Sequence, residues 1–282
     1  MTKIFLAITE ADLIRDFSIK TKLKLYVLVS FLYLSGQTTK FVNDYKKFIK
    51  ELYLDSSAFT ANLNKGKHEL LSPYSKYNAK FGNKFTRIFT LDHNFDDPEH
   101  NYNNQQYLEE HMKPNGQRPI PAIHNEDDPL GEIETYVNDG HDYIAIGSNW
   151  KKVGDIYDEI KQKYPDLKIH FFGNLNRKVL KKCKPDSADS AAYAHQAKNG
   201  ILNYWDPDED KERLIHFGKY DLRPKSKTIF HYKDFAKENK KFEEFLDKKF
   251  GYTLNDILND RVACQIVNLY FYTQLEAHLN AS

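Results

Sequence analysis

Eight short apolar runs punctuate most of the chain, and each leads into a polar loop and a segment with helical spacing. The runs are Lys3–Ile8, Leu25–Leu34, Glu51–Asp55, Arg87–Asp92, Pro119–His124, Tyr143–Gly147, Lys168–Gly173 and Ser187–Asp189. Eight strand–helix alternations within roughly 200 residues match a (β/α)8 barrel, so we expect an α/β TIM-like barrel. An open doubly wound sheet is the alternative, but no Gly-x-Gly-x-x-Gly follows the first run to support its dinucleotide-binding form.

The segments between the runs show the spacing of helices with one apolar face. The clearest has apolar residues at Trp150, Val153, Ile156, Tyr157, Ile160 and Tyr164. Pro165 then ends it, because proline cannot continue a helix. The other predicted helices are Phe41–Ile49, Leu70–Phe81, Tyr102–Met112, Gly131–Val137 and Asn176–Lys184, and the stretch Asp186–Gly200 leads from the eighth run into an Ala-rich helix.

The pattern changes near Asn203, where a run of acidic residues at 206–210 predicts a solvated turn. Beyond it we expect a short strand over Thr228–Tyr232, a charged helix over Lys233–Lys249 and a helical tail with an apolar face over Leu254–Leu279. The predicted organisation is therefore a barrel over residues 1–202 and a helical appendage packed on it over residues 203–282.

Charge and cysteine content limit the classes of function. The 41 Lys and Arg residues nearly balance 40 Asp and Glu residues, so a polyanion must be held by a local patch rather than by a global field. Cys183 and Cys264 cannot form a cysteine-rich zinc site, and so few cysteines favour a reducing compartment. The apolar runs are too short to span a membrane, and we expect a cytoplasmic protein.

Polar residues stand at the carboxyl ends of most predicted strands. They are Asp55, Asp92, His124, Gly147, Gly173 and Asp189. In a barrel the carboxyl ends of the strands share one face, and that face carries the chemistry. Two opposed carboxylates are the usual equipment for chemistry at a sugar C1′, which points to Asp55 and Asp189. The alternative for each is an Asx turn at the end of a strand.

Several of these stretches resemble tRNA-guanine transglycosylases. Asp55-Ser56-Ser57-Ala58-Phe59 is similar to their Asp-Ser-Gly-(Gly/Ala)-Phe motif. In chain order, the other matching stretches are Leu91-Asp92, Pro119–His124, Tyr143–Gly147, His170–Gly173 and Asp189-Ser190. The ordered set covers roughly residues 25–200 and is closest to the short phage-type relatives, which are associated with placing 7-deazaguanines in DNA.

The resemblance implies a role for each matching residue. Asp55 would be the general acid and base, and Asp189 would be the nucleophile that holds the sugar. Asp92 would recognise the base, and Gly147 would offer it backbone groups. The remaining residues expected to contact the base are Ser56, Phe59 and His124, of which His124 stands where the tRNA enzymes have glutamine. No metal or other cofactor is expected.

Two departures from the family pattern bear on the substrate. Ser57 replaces the first glycine of the motif, which restricts close approach of the base. The zinc-binding Cys/His cluster of the tRNA enzymes is missing, together with much of their C-terminal part. The expected partners are therefore DNA, with tRNA less favoured, and a free 7-deazaguanine base.

Other polar clusters leave two interpretations open. Arg177, Lys178, Lys181 and Lys182 on one predicted helix either track nucleic-acid phosphates or form a solvated face. Asp92, His93, Asp96, Asp97 and His100 either hold a metal or form a solvated loop, and the second is favoured. His170, inside the seventh strand, is expected to be buried rather than catalytic.

Three functions remain in competition. A nucleobase transglycosylase explains the barrel, the two aspartates and the ordered resemblance. A glycoside or nucleoside hydrolase would use the same two carboxylates with water as the acceptor. A non-catalytic relative would bind nucleic acid without exchanging a base.

Overall fold

The computed structural model describes residues 1–34, 36–63, 70–92, 95–112, 116–147, 153–218 and 229–281. The chain divides into two compact units. The first contains Met1–Ala11 and Tyr26–Ser190, and the second contains Asp12–Leu25 and Ala191–Ser282. The division after Ser190 lies earlier than the expected boundary between 202 and 203, and Asp12–Leu25 joins the second unit rather than the first.

The first unit is built on a sheet of eight parallel strands. These are β1 (Lys3–Ala7), β2 (Leu25–Ser30), β3 (Ile49–Asp55), β4 (Arg87–Ile88), β5 (Ala122–Ile123), β6 (Tyr143–Ile146), β7 (Lys168–Phe171) and β8 (Ser187–Ser190). Their order in the sheet is β4-β3-β2-β1-β8-β7-β6-β5. The chain thus winds outward from β1 in one direction and from β8 in the other, which leaves β4 and β5 to meet.

One parallel bridge, between Phe89 and Ile120, joins those two last strands. Ile120 N donates to Ile88 O at 2.7 Å, and Thr90 N donates to Ile120 O at 2.9 Å. These bonds close the sheet on itself, which confirms the predicted (β/α)8 barrel. β4 and β5 are two residues long, so the predicted run Arg87–Asp92 forms a strand only at its start, and the run Pro119–His124 forms one only at Ala122–Ile123.

Helices occupy the connections between strands. They are α1 (Ala11–Thr21), α2 (Ala58–Leu63), α3 (Leu71–Phe81), α4 (Pro98–Met112), α5 (Pro129–Asn138), α6 (Val153–Lys163), α7 (Arg177–Cys183) and α8 (Ala192–Lys198). Two predictions need correction. The run Leu25–Leu34 leaves the sheet after Ser30 and turns through a 3-10 segment at Phe31–Tyr33, and Phe41–Ile49 is a π turn and a 3-10 turn rather than an α-helix.

Large side chains fill the inside of the barrel. The buried cluster consists of Phe5, Leu28, Tyr53, Phe89, Ile120, Ala122, Tyr143 and Ala145. The rings of Phe5 and Tyr53 stack with their centroids 3.8 Å apart. The interior is therefore a packed core, and ligands can enter only above it, at the carboxyl ends of the strands.

The second unit combines a small sheet with helices. Its strands β9 (Ile201–Asp206), β10 (Lys211–His216) and β11 (Ile229–His231) lie in the order β11-β10-β9. Its later helices are α9 (Tyr232–Glu238), α10 (Lys240–Phe250), α11 (Leu254–Asn259) and α12 (Arg261–Ala281). None of the helices in the described ranges is both long and apolar enough to cross a membrane.

The helical appendage was predicted too simply. The acidic turn at 206–210 connects an antiparallel hairpin, β9–β10, which the sequence patterns did not indicate. The expected helix Lys233–Lys249 is divided at Asn239, whose side chain accepts a hydrogen bond from Phe242 N at 3.2 Å and so begins α10. The expected tail Leu254–Leu279 is divided at Asp260, which is extended. Of the predicted strand Thr228–Tyr232, Thr228 lies outside the described residues.

Candidate active site

Asp55 is the last residue of β3, and its partly buried carboxyl receives two hydrogen bonds. Ser30 Oγ donates to Asp55 Oδ2 at 2.7 Å, and Ser57 N donates to the same oxygen at 3.1 Å. Burial nevertheless raises the pKa of Asp55 to about 6, and the charges of Asp189 and Asp92 add to that rise. The carboxyl therefore changes protonation state close to neutral pH, as a group that gives and takes a proton should.

The backbone after Asp55 turns sharply at Ser57, which has φ +71°. This left-handed conformation favours glycine, so Ser57 stands where a glycine would be less strained. The Ser57 hydroxyl accepts a hydrogen bond from Leu32 N at 3.0 Å, which ties the turn to the end of β2. Ser56 is buried and accepts from Ala58 N at 3.4 Å, while Phe59 on α2 is 51% exposed.

Asp189 lies within β8, and both of its hydrogen bonds reach Oδ1. Gly173 N donates at 3.0 Å, and His170 Nε2 lies 3.2 Å away. Both donors come from β7 and the turn after it, next to β8 in the sheet. This pair of contacts sets the direction of the carboxylate. The burial expected of His170 is correct, but the sequence did not reveal that it contacts Asp189.

Asp92 lies beyond β4 and is only 7% exposed. His124 Nε2 lies 3.0 Å from Asp92 Oδ2, whereas the buried Asp92 Oδ1 has no hydrogen-bond partner among the residues that the structure describes. A buried acceptor without a partner is costly, and it is what a ligand N–H would satisfy.

His124 follows β5 and is held from several sides. Glu132 Oε2 on α5 accepts from His124 N at 3.1 Å, and the ring of Phe95 stacks on the imidazole with centroids 4.4 Å apart. Burial lowers the pKa of His124, but the hydrogen bond and charge of Asp92 outweigh it and raise that pKa above its ordinary value. His124 is therefore suited to donate through both ring nitrogens, one of them to Asp92.

Gly147 directly follows β6 and lies beside His124. A Cβ at this position would stand 2.7 Å from His124 Nδ1, so glycine is required for the imidazole to lie where it does. Gly147 N donates to Ile123 O at 3.2 Å within the sheet. The backbone group that Gly147 could offer to a base is thus its carbonyl oxygen rather than its N–H.

The predicted residues come from different strands, yet they act on one another. The charges of Asp189 and Asp92 both raise the pKa of Asp55, so the three carboxyls border one region at the carboxyl ends of β3, β4 and β8. Ser30 and His170 complete this arrangement, and the sequence patterns did not single out either as functional. Ser30 was hidden inside an apolar run, and only its contact with Asp55 reveals it.

The predicted nucleic-acid contacts all lie on α7, and they are Arg177, Lys178, Lys181 and Lys182. Lys182 Nζ lies 2.8 Å from Asp158 Oδ2 and 3.7 Å from Asp155 Oδ1, so acidic neighbours already balance its charge. Arg177 and Lys178 begin the helix directly after the loop from β7, at the end of the barrel that carries the aspartates. They are the better placed pair for a bound phosphate.

The alternative metal site after the fourth strand gains no support. His93 lies outside the described residues, and the ranges that are described contain no group of three or more His, Cys, Asp or Glu side chains placed to hold a metal. Asp97 Oδ1 instead accepts a hydrogen bond from His100 N at 3.0 Å, as a loop at the start of a helix does.

Comparison with known proteins supports the fold and no more. No protein-family model matches the chain, and no curated protein does. Among solved structures, it is similar to a candidate fructose-1,6-biphosphate aldolase from Coccidioides immitis, with TM-score 0.55 and 10% identity, covering 97% of this chain and 90% of that one. It also matches orotidine 5'-monophosphate decarboxylase from Sulfolobus solfataricus, with TM-score 0.39 and 9% identity, covering 67% and 87%.

Proposed function

We propose that the protein is a nucleobase transglycosylase that exchanges guanine in nucleic acid, DNA in particular, for a 7-deazaguanine. The observation that carries this proposal is the pair of carboxylates Asp55 and Asp189 at the mouth of the barrel, where the strands have their carboxyl ends. Asp55 has a pKa of about 6, partly because of the Asp189 charge, whereas two donors orient Asp189. Two carboxyls in different environments support different roles, one as acid and base and one as nucleophile.

The exchange takes place in two displacements. In the first, an Asp189 oxygen attacks C1′ while the bond from C1′ to the guanine nitrogen breaks, and its electron pair leaves with guanine. Protonated Asp55 gives its proton to the departing base. In the second, the Asp55 carboxylate takes a proton from the incoming base, whose nitrogen attacks C1′ and releases Asp189. The covalent link keeps the strand from hydrolysis between the two steps.

Asp92 and His124 supply the recognition of the base. The edge of a guanine or 7-deazaguanine carries neighbouring N–H donors, which suit the unpartnered Asp92 Oδ1. Protonated His124 can donate from Nδ1 to an acceptor on the same edge. Phe59 and Phe95, whose ring centroids lie 6.4 Å apart, offer apolar surface beside this position. The target nucleotide must leave the base stack to reach these groups.

DNA is the favoured polymer, and two basic residues are candidates for holding it. Arg177 and Lys178 begin α7 on the side of the barrel that carries the aspartates. Because the chain as a whole is nearly neutral, such a local pair must do most of the phosphate binding. The two displacements transfer only protons and a sugar, so they require no redox or metal cofactor.

An incorporation assay separates this function from its competitors. DNA is incubated with the protein and a panel of labelled 7-deazaguanines, and both incorporated label and released guanine are counted. Equal amounts of each support exchange, guanine release without incorporation indicates a hydrolase, and binding without either indicates a non-catalytic relative. A parallel sample with tRNA in place of DNA identifies the polymer.

A further inference from the structure

A buried chain of hydrogen bonds leads from the barrel interior to Asp189. His170 Nε2 lies 3.2 Å from Asp189 Oδ1, and His170 Nδ1 lies 2.5 Å from Ser187 Oγ. Ser187 Oγ in turn lies 2.6 Å from the hydroxyl of Tyr143. The members come from β6, β7 and β8, so the chain crosses the interior rather than following one strand.

The donors and acceptors of this chain can point in one consistent direction. Tyr143 donates to Ser187, and Ser187 donates to His170 Nδ1. His170 then carries its proton on Nε2 and donates it to Asp189. Tyr143 donates and Ser187 both accepts and donates, so each hydrogen bond in this arrangement has one donor and one acceptor.

Aromatic rings hold the imidazole of His170 in place. The side chain is 0% exposed, and the rings of Phe89 and Phe172 each have centroids 4.8 Å from it. The rings of Tyr53 and Phe5 lie at 6.3 Å and 6.4 Å. Bulk water therefore cannot replace Ser187 or Asp189 as a partner, and the ring has no room to turn over.

We propose that His170 is a positioning residue for Asp189, and that Ser187 and Tyr143 fix it as the neutral tautomer with hydrogen on Nε2. This inference rests on the proposed function, because Asp189 is the nucleophile only in that reaction. A neutral donor fixes the carboxylate oxygen without placing a full positive charge against it. The second oxygen of Asp189 can then approach C1′ with its charge less reduced than in an ion pair.

The test combines histidine NMR with the rate of covalent adduct formation on DNA. In 15N-histidine protein, His170 should show a protonated Nε2 and an unprotonated Nδ1, and its signals are assigned among the 11 histidines by their loss in His170→Phe. Ser187→Ala removes the donor to Nδ1, so both tautomers should appear. The adduct rate should fall on the order of 10–100-fold with DNA affinity unchanged, as for a lost orienting partner.

Two further variants separate positioning from packing. Tyr143→Phe shortens the chain but keeps Ser187, so its loss of rate should be smaller than that of Ser187→Ala. Phe89→Leu loosens the aromatic packing around His170 without removing a hydrogen bond, so it should lower the melting temperature and leave tautomer and rate unchanged. Should Phe89→Leu slow the adduct as much as Ser187→Ala, packing rather than tautomer control explains the effect.

The outcomes also separate this inference from the function on which it rests. A doubly protonated His170, or a Ser187→Ala protein with wild-type tautomer and rate, overturns the positioning role while leaving the exchange reaction standing. A wild-type protein that forms no adduct on DNA overturns the function, and the NMR measurement then still decides whether the hydrogen-bonded chain sets the tautomer.

Discussion

Buried carboxyls at the two ends of the barrel have pKa values shifted in opposite directions. Near the amino ends of β5 and β6, the carboxylate of Glu109 on α4 is contacted by three nitrogen donors. They are Arg118 Nη2 at 2.8 Å, His141 Nε2 at 2.9 Å and Gln105 Nε2 at 2.7 Å. Against burial, which acts to raise it, these donors lower the pKa of Glu109 to about 2. At the carboxyl ends, burial and neighbouring carboxylates raise the pKa of Asp55 to about 6.

This difference distinguishes a structural cluster from a reactive one. The donors around Glu109 match its charge and join α4 to the loops before β5 and β6, which is what a stable barrel end requires. The carboxyl ends of the strands instead bring carboxylates together, and within the described part of the chain the buried Asp92 Oδ1 has no hydrogen-bond partner. Such an arrangement opposes stability, and it is expected where a ligand or a reaction makes use of it.

The largest expected contrast is in the rate of base exchange. Asp55→Asn removes proton transfer at the mouth and should slow exchange on the order of 10²–10⁴-fold, with DNA binding nearly unchanged. Glu109→Gln is the matched change at the other end of the barrel and should leave the rate of the folded protein near wild type. Equal losses of rate in the two variants would show that the reaction does not depend on Asp55 more than on Glu109.

The two carboxyls should also give stability opposite dependences on pH. The pKa of Asp55 is raised in the folded protein. Its contribution to the free energy of unfolding therefore falls by about 2–3 kcal/mol as pH rises from about 4 to 6. The folded pKa of Glu109 is lowered, so its contribution is present above about 4.5 and is lost as pH falls toward 2.

Urea unfolding between pH 3 and 8 measures both effects. At pH 7.5, Asp55→Asn should be more stable than wild type by about 2–3 kcal/mol, and the difference should disappear near pH 4. Glu109→Gln should be less stable than wild type at pH 7.5, and the difference in free energy of unfolding should become smaller toward pH 3. Parallel curves for wild type and Asp55→Asn would show that the Asp55 carboxyl is not strained at neutral pH.

Base recognition should show a smaller effect at the same mouth. Asp92→Asn places a donor where the base edge needs an acceptor, and it also changes the partner of His124. Affinity for the free 7-deazaguanine should fall by about 1–3 kcal/mol, the cost of an unmatched buried polar group. Calorimetric titration of base into wild type and variant gives the comparison, and equal affinities would remove Asp92 from the recognition site.

The smallest effect concerns the strained turn at Ser57. Ser57→Gly relieves the left-handed backbone but loses the bond to Leu32 N, so its net change in stability should be within about 1 kcal/mol. Ser57→Ala keeps the strain and loses the same bond. We expect the glycine variant to unfold at higher urea than the alanine variant, and the reverse order would mean that Ser57 is unstrained.

Local sequence patterns predicted the barrel and the strand-end residues because both depend on local signals. Apolar runs mark buried strands, and parallel strands bring their carboxyl ends to one face, so Asp55, Asp92, His124 and Asp189 could be named in advance. Ser30 and the role of His170 could not. Each acts through a hydrogen bond to a residue on a neighbouring strand, and no spacing within its own run encodes that contact.

The composition of the second unit also depends on contacts between residues that are far apart in sequence, so local patterns did not predict it. Lys20 Nζ donates to Phe250 O at 2.8 Å, across 230 positions of sequence, and such contacts place Asp12–Leu25 with the C-terminal residues. The sequence does not indicate the hairpin β9–β10, because its acidic turn has the composition of a solvated loop and the flanking residues carry no clear strand pattern. Strand pairing and contacts between residues far apart in sequence are decided by packing rather than by local propensity.

The most direct test of the account is to trap the covalent intermediate on Asp189. Wild-type protein is mixed with guanine-containing DNA without any incoming base, quenched with acid, and digested for mass spectrometry. We expect a sugar–phosphate adduct on the peptide that contains Asp189, and none in Asp189→Ala protein of unchanged fold. An adduct on another residue, or wild-type exchange by Asp189→Ala, would contradict the assignment of the nucleophile and with it the proposed reaction.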